Sequence, residues 1–150
     1  MPKIKNIFYL FLPIVLGSIV GFVISGSIDY SNLNKPFLAP PKILFPIAWS
    51  IIYLLLGISY FLFKKVSPNN KKVDIIYYVA LTINLLWSLI FFLLKWRFVS
   101  ILWIILLDIF VIYLVYLFFK ESKITFYLNI PYILWLILAT YLTIGIYILN

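Results

Sequence analysis

Five stretches of about 20 apolar residues, separated by short polar breaks, dominate this sequence. A transmembrane helix needs roughly that length, because a bilayer's hydrocarbon core is about 30 Å thick and a helix rises about 1.5 Å per residue. With 66% hydrophobic and 11% charged residues, the 150-residue chain has more apolar side chains than a soluble core of this size could bury. The five predicted helices are Ile7–Ser25, Ile43–Phe63, Ile75–Leu94, Phe98–Phe119 and Ile124–Leu149.

The breaks between these helices are short, which forces consecutive helices to lie antiparallel. The third break is only Lys95–Arg97 and the fourth only Lys120–Lys123. The first apolar stretch is predicted to be a helix rather than a cleaved signal, because no Ala-x-Ala type of cleavage site follows it. The sequence therefore predicts an all-α membrane protein, an up-down bundle of five transmembrane helices in a single transmembrane domain over residues 1–150.

Lys and Arg residues are distributed unevenly between the two ends of such a bundle, and cytoplasmic loops usually hold the excess. One end carries eight basic residues and the other carries four, which predicts a cytoplasmic N-terminus if the membrane is a bacterial cell membrane. Membrane topology thus explains the net charge of +8 without a nucleic-acid partner. The richer end has Lys3, Lys5, Lys64, Lys65, Lys71, Lys72, Lys120 and Lys123; the other has Lys35, Lys42, Lys95 and Arg97.

The chain contains neither Cys nor His. This excludes disulfides, thiolate nucleophiles, the commonest metal ligands and the usual axial ligands of haem iron. We expect no metal site and no required cofactor.

Asp108 lies near the middle of the fourth predicted helix. A carboxyl group at that depth costs at least about 2.5–3.5 kcal/mol on insertion scales, so its side chain should face protein and find a partner. It is either a structural hydrogen-bonding group or a ligand or proton site. We favour the structural role, because no Lys, Arg or His lies inside a helix to form a relay.

Three helices carry aromatic stripes at helical spacing. Such stripes form either a packed core or interfacial belt, or the walls of a cavity for a small molecule. Asn84 is a polar residue on one stripe, where it is either an interhelical hydrogen bond or a ligand anchor. The stripes are Trp49, Tyr53 and Gly57; Asn84, Trp87 and Phe91; and Tyr132, Trp135 and Ala139.

Proline and glycine mark two further features. The stretch Pro36–Pro46 should form a stiff segment able to lie over the mouth of the bundle, and Pro131 should kink the fifth helix or mark its true start. Gly17, Gly21 and Ser25 form a stripe of small residues on the first helix, which permits close contact with another helix.

Together these residues resemble the translocator protein family, whose bacterial members are called tryptophan-rich sensory proteins and whose eukaryotic members are called peripheral benzodiazepine receptors. The resemblance spans nearly the whole chain in order and spacing. It is carried by Lys35-Pro36-x-x-x-Pro40-Pro41, Phe45-Pro46-x-x-Trp49-x-x-x-Tyr53-x-x-x-Gly57, Asn84-x-x-Trp87-x-x-x-Phe91-Phe92, Asp108, and Pro131-Tyr132-x-x-Trp135-x-x-x-Ala139-Thr140-Tyr141-Leu142.

The resemblance implies a five-helix bundle, often a homodimer, with a pocket near the mouth that the first loop covers. It also implies binding of porphyrins, haem or drug-like molecules of the benzodiazepine type, with sterols bound by eukaryotic members. Carried over by position, the ligand-binding residues would be Tyr30, Pro41, Trp49, Tyr53, Asn84, Trp87, Phe91, Trp135, Leu138 and Ala139.

Two positions in the first loop depart from the family pattern. Leu38 stands where a Trp is usual, and Asp29 replaces a frequent aromatic residue, so the loop should offer fewer rings to a porphyrin. The last helix also lacks a basic residue after Tyr141 or Tyr147, which leaves the C-terminal sterol motif incomplete. We therefore expect no strong sterol binding.

Two other functions remain open at this point. A small proton-coupled transporter would use Asp108 as its coupling site. A light-dependent porphyrin-degrading enzyme would use Trp49 and Trp135, which the resemblance implicates, because an indole beside a photoexcited macrocycle is redox-active.

Overall fold

The computed structural model describes residues 4–150, with side chains from residue 6 onward. Lys3 and the side chain of Lys5, which contribute to the charge count above, lie outside that part. The described chain is helical throughout, with turns and loops but no strand. The helices are α1 (Ile4–Ile24), α2 (Leu44–Val66), α3 (Lys71–Ser88), α4 (Arg97–Glu121), α5 (Lys123–Leu128) and α6 (Ile130–Leu149), with a 3₁₀ turn at Tyr30–Asn32 and a π-helical turn at Leu89–Leu93.

These elements give five spans long and apolar enough to cross a membrane, which confirms the predicted fold class. α3 begins four residues before the predicted start, because Asn70 caps it: the side chain of Asn70 accepts a hydrogen bond of 3.2 Å from the N–H of Val73. Asp74 in the first turn further favours a helix N-terminus. The polar first turn had the appearance of a loop in the sequence.

The fifth span is divided into α5 and α6 at Asn129, and Pro131 lies in the first turn of α6. The prediction that Pro131 marks the true start of a helix is thus confirmed. Asn129 is buried, and its amide donates to the carbonyl of Thr125 at 2.7 Å and to Oγ of Ser59 at 2.9 Å. This break is therefore held against α2 by a buried hydrogen bond.

Helices α1 and α2 approach each other most closely at two glycines. A Cβ atom on Gly57 would collide with the backbone carbonyl of Leu10, and one on Gly17 would collide with the ring of Tyr53. The small residues of α1 thus permit close contact at Gly17, as predicted. At Gly21, one turn further along, a Cβ atom would meet nothing within 4 Å, so the two helices have separated there.

Candidate functional site

Seven rings converge at the end of the bundle where α2 begins and α6 ends, and we call them the aromatic cluster. The ring centroid of Trp49 lies 6.3 Å from that of Trp87 and 6.2 Å from that of Trp135. These rings face one another inside the bundle, and the gap among them, about 10 Å³, has room for at most about one water molecule. The cluster consists of Tyr30, Phe45, Trp49, Trp87, Phe91, Phe92 and Trp135.

The π-helical turn at Leu89–Leu93 carries two consecutive residues of the third span that are both buried. Phe91 is 3% exposed and Phe92 is 6% exposed, although neighbours on an α-helix lie about 100° apart. The N–H of Leu94 donates to the carbonyl of Leu89, five residues earlier, at 3.0 Å. Such a widened turn is frequent at functional sites. It adds a second phenyl ring to the site.

Asn84 joins three helices below the cluster. The hydroxyl of Tyr53 donates to Oδ1 of Asn84 at 2.7 Å, and Nδ2 of Asn84 donates to the hydroxyl of Tyr132. Asn84 is completely buried and lines neither the gap nor the larger cavity described below. Its amide therefore positions α2, α3 and α6 instead of facing an open space.

The accessible space lies on the other side of Trp49, in a cavity of about 610 Å³ between α1, α2 and the first loop. We call it the α1–α2 wedge. Its volume falls in the range of about 300–1,000 Å³ that is usual for small-molecule sites. On α1 its wall alternates small and aliphatic residues, and on α2 most of it is aromatic. The wall includes Gly17, Ser18 and Gly21 of α1, Ser25 just after that helix, and Phe45, Trp49, Ser50 and Tyr53 of α2.

The wedge and the aromatic cluster share a wall. Tyr30, Phe45, Trp49 and Phe92 line both the 610 Å³ cavity and the 10 Å³ gap. The ring of Phe45 contacts Tyr30 on one side, with 4.9 Å between centroids, and Trp135 on the other, at 5.6 Å. These four side chains therefore form a partition between an open cavity and a closed one.

The first loop covers this end of the bundle and is held by Tyr30. The hydroxyl of Tyr30 donates to the carbonyl of Pro40 at 2.7 Å, and Nζ of Lys35 lies 4.9 Å above the ring. Burial raises the pKa of the Tyr30 phenol, so it stays a protonated donor at neutral pH. Tyr30 thus contributes a ring to the site and a hydrogen bond to the loop.

An ion pair fixes the loop to the opposite side of the site. The guanidinium of Arg97 donates through Nη2 to both carboxylate oxygens of Asp29 at 3.0 Å, and through Nη1 to the carbonyl of Phe91 at 2.9 Å. It also lies 4.4 Å from the Phe91 ring centroid. Asp29, which the sequence analysis treated only as a lost aromatic residue, therefore links the loop to the π-helical turn.

The end of α6 holds the middle of the loop. Asn34 and Asn150 exchange hydrogen bonds of 3.1 and 2.8 Å, and the hydroxyl of Tyr141 donates to the carbonyl of Phe37 at 2.6 Å. Leu38 adopts a positive φ of 69°, and its side chain is 72% exposed and lines neither cavity. The departure from Trp at this position therefore falls outside both cavities.

Most of the ten predicted ligand-binding residues lie together. Tyr30, Trp49, Trp87, Phe91, Trp135 and Ala139 surround the gap, and Tyr30, Trp49 and Tyr53 line the wedge. Asn84 lies behind them. Pro41 and Leu138 line neither cavity: Pro41 is exposed before α2, and Leu138 lies one residue, about 100°, from the inward-facing Ala139.

Several residues of the site escaped the sequence analysis. Phe45 and Phe92 were quoted only as parts of motifs, and no residue of α1 was assigned to a cavity. The available signal was the stripe of small residues on α1, which the analysis interpreted only as a helix contact. The opposite charges of Asp29 and Arg97, both predicted at the same end of the bundle, were a second signal.

Asp108 lies away from both cavities, on α4 facing α6. Its Oδ2 accepts a hydrogen bond of 2.8 Å from Oγ1 of Thr140, while its buried Oδ1 has no partner in the described chain. Within residues 4–150, no group of three acidic, His or Cys side chains could hold a metal ion.

Two indole donors of the aromatic cluster are also buried. Nε1 of Trp87 and Nε1 of Trp135 have no acceptor within the described residues. Both residues line the gap. The cluster therefore combines apolar ring surfaces with two N–H groups that find no acceptor in the described part of the chain.

The fold and the site together define an integral membrane protein of five transmembrane helices, with a ring-lined site at one end under an anchored loop. The family model of the TspO/MBR family matches residues 9–149. The chain belongs to the TspO/MBR family.

Its relatives come from archaea, bacteria and yeast. It is 36% identical to the tryptophan-rich protein TspO of Archaeoglobus fulgidus over 122 residues, covering 81% of this chain and 79% of that protein. It is 33% identical to the tryptophan-rich protein TspO of Chlorobaculum tepidum, covering 97% of this chain and 98% of that protein. A translocator protein homolog of Schizosaccharomyces pombe is 27% identical, with 93% and 88% covered.

Proposed function

We propose that this protein binds flat hydrophobic ligands, tetrapyrroles above all, in the α1–α2 wedge. The observation that carries the proposal is the 610 Å³ cavity whose α2 wall consists of Phe45, Trp49 and Tyr53. Aromatic walls favour flat ring systems, because stacked and edge-to-face contacts between rings add about 0.5–1.5 kcal/mol beyond the burial of their area. Sensing and translocation would both begin with this binding step.

The ring partition gives the ligand a second possible position. Rotation of Phe45 and Trp49 would join the wedge to the gap, which Trp87 and Trp135 border with their unpartnered indole N–H groups. A ligand that carries a carbonyl or carboxylate group would satisfy those donors. The six predicted residues that border the gap would then contact the ligand there, and the α1 residues would contact it through the wedge.

Gly21→Leu tests the proposal directly. The new side chain would enter the wedge without a clash, because a Cβ atom at Gly21 meets nothing within 4 Å. Quenching of tryptophan fluorescence by protoporphyrin in detergent should become at least tenfold weaker in this variant. Gly26→Leu is the matched control, because a Cβ atom at Gly26 also meets nothing within 4 Å and Gly26 does not line the wedge. Equal binding by both variants would refute the proposal.

A second candidate function is light-dependent degradation of a bound porphyrin with oxygen as the co-reactant. The contact among the indoles of Trp49, Trp87 and Trp135 favours it, because neighbouring indoles can share an oxidised state after the photoexcited ring takes an electron. Only Trp49 borders the wedge. Loss of porphyrin absorbance under illumination should therefore be abolished by Trp49→Phe and reduced less by Trp135→Phe.

We also propose a bacterial cell membrane with the N-terminus in the cytoplasm, which places the first loop and the wedge mouth at the outer face. The excess of Lys and Arg at the other end supports this orientation. The proposal also includes a homodimer, which the resemblance to the family implies. Single cysteines in place of Ser67 and Leu38 test the orientation through their reaction with a membrane-impermeant maleimide. Cross-linking in native membranes tests the homodimer.

A further inference from the structure

The α1–α2 wedge is open along its side. Its lining includes exposed residues on both helices, Ser18 and Gly21 on α1 and Ser50 on α2. Along α1 the lining runs from Ile14 to Ile24, which corresponds to about 15 Å of helix, or roughly half the hydrocarbon core of a bilayer. The opening therefore faces the acyl chains from the headgroup end to about the midplane.

The serines on this rim are suited to face lipid. Oγ of Ser18 donates to the carbonyl of Ile14 at 2.7 Å, Oγ of Ser25 to that of Phe22 at 2.7 Å, and Oγ of Ser50 to that of Pro46 at 2.6 Å. Each hydroxyl is thus satisfied within its own helix. A rim with satisfied polar groups can border hydrocarbon without a desolvation penalty.

Entry of a ligand through the first loop is blocked, in contrast to entry from the side. A ligand entering from water would have to break the Asp29–Arg97 pair on one side or the Asn34–Asn150 hydrogen bonds on the other. Pro36 also packs on Gly145, with no room for a side chain between them. Entry from the bilayer requires none of these contacts to break.

Among the described residues, Lys42 is the one charged residue that lines the wedge. It lies at the loop end of the cavity and is exposed, and its ammonium group has no hydrogen bond or ion pair within the described chain. A free ammonium group at headgroup depth, beside an apolar slot, is complementary to an anionic group on the edge of a hydrophobic molecule.

We infer that the wedge takes its ligand from the bilayer, and that this ligand is a ring acid whose carboxylate pairs with Lys42 while its apolar body lies against Trp49. This inference rests on the proposed function and narrows it, since it selects tetrapyrroles with free carboxylates over neutral esters. The first loop stays closed throughout binding.

Lys42→Gln tests the choice of ligand, with protoporphyrin compared with its dimethyl ester in liposomes. The Kd for the acid should rise about two- to fivefold, the usual size for a solvent-accessible ion pair, while the Kd for the ester stays unchanged. Lys65→Gln is the control, because Lys65 lies at the opposite end of α2 over the ring of Phe61. An unchanged Kd for the acid, or an equal loss for acid and ester, would overturn the inference.

A single engineered disulfide tests the route. The chain has no cysteine, so Pro36→Cys with Gly145→Cys can form only one bond, and a Cβ atom on residue 145 would lie 2.8 Å from Cβ of Pro36. A disulfide places its two Cβ atoms about 3.5–4.5 Å apart, which a small shift of the loop provides. Oxidised and reduced forms in liposomes should associate with protoporphyrin at rates within twofold of each other.

A tenfold slower association after oxidation would instead assign entry to the loop and overturn the inference. If the reduced variant folds poorly, Asn34→Cys with Asn150→Cys replaces the pair, because the side chain of Asn150 already hydrogen-bonds to the backbone of Asn34. Failure of the proposed function looks different: protoporphyrin would bind Gly21→Leu as tightly as the unaltered protein, whatever the state of the loop.

Discussion

Gly57→Ala should separate α1 from α2 at their closest contact. The added Cβ atom would collide with the backbone carbonyl oxygen of Leu10 and lie 3.0 Å from its carbonyl carbon. Backbone atoms cannot rotate away as a side chain can, so the helices must move apart. Overpacking typically costs about 1–3 kcal/mol, and a backbone obstacle places the expected loss near the upper end, about 2–3 kcal/mol.

The loss should be visible as a lower melting temperature in detergent. For a chain of this length, 1 kcal/mol corresponds to about 2–4 °C in soluble proteins, so we expect a decrease of about 4–12 °C. Gly21→Ala is the matched control, since its Cβ atom meets nothing within 4 Å and should leave the melting temperature within about 2 °C. If the two variants had the same melting temperature, the contact between α1 and α2 at Gly57 would not exist as described.

Two further predictions concern charged groups. Asp29→Asn should lower the stability of the first loop's closed position by about 1.5–3 kcal/mol, because it removes a charged acceptor from Arg97. Hydrogen exchange of the loop amides should then accelerate about tenfold or more. Lys95→Gln is the control: Lys95 lies 3.7 Å from Asp29 and is half exposed, so its replacement should change the exchange rate little. Asp108→Asn should leave protoporphyrin binding unchanged and stability equal or higher, because a neutral amide still accepts from Thr140 without the cost of a carboxylate in the membrane. Loss of a proton-driven porphyrin flux in this folded variant would support the transporter hypothesis instead.

Local signals gave the spans and some of their ends correctly. Apolar runs of about 20 residues predict transmembrane helices because each helix satisfies its own backbone hydrogen bonds in lipid, whatever its neighbours are. The start of a helix at Pro131 was predictable because proline's preference for the first turn of a helix depends on local geometry alone. The start of α3 was missed because Asn70 and Asp74 act as a cap and a first-turn charge, which resemble loop residues in composition.

The site was predictable only in part. Helical spacing placed Trp87 and Phe91 on one face with Asn84, and the structure brings them together with Trp49 and Trp135. Spacing could not reveal that Asn84 is fully used by Tyr53 and Tyr132, because those partners lie on other helices. Nor could it reveal the π-helical turn at Leu89–Leu93, where Phe91 and Phe92 are both buried.

By itself, then, the sequence determined that the chain lies in a bilayer, how many times it crosses that bilayer, and which helix faces carry aromatic rings. These properties follow from length, hydropathy and helical period. Only the tertiary structure decided where open space remains. Cavity volume depends on the distance between helices, and α1 and α2 touch at Gly57 and Gly17 but have separated at Gly21. That divergence opens the wedge on one side of Trp49, while the packing of indole rings closes the gap on the other.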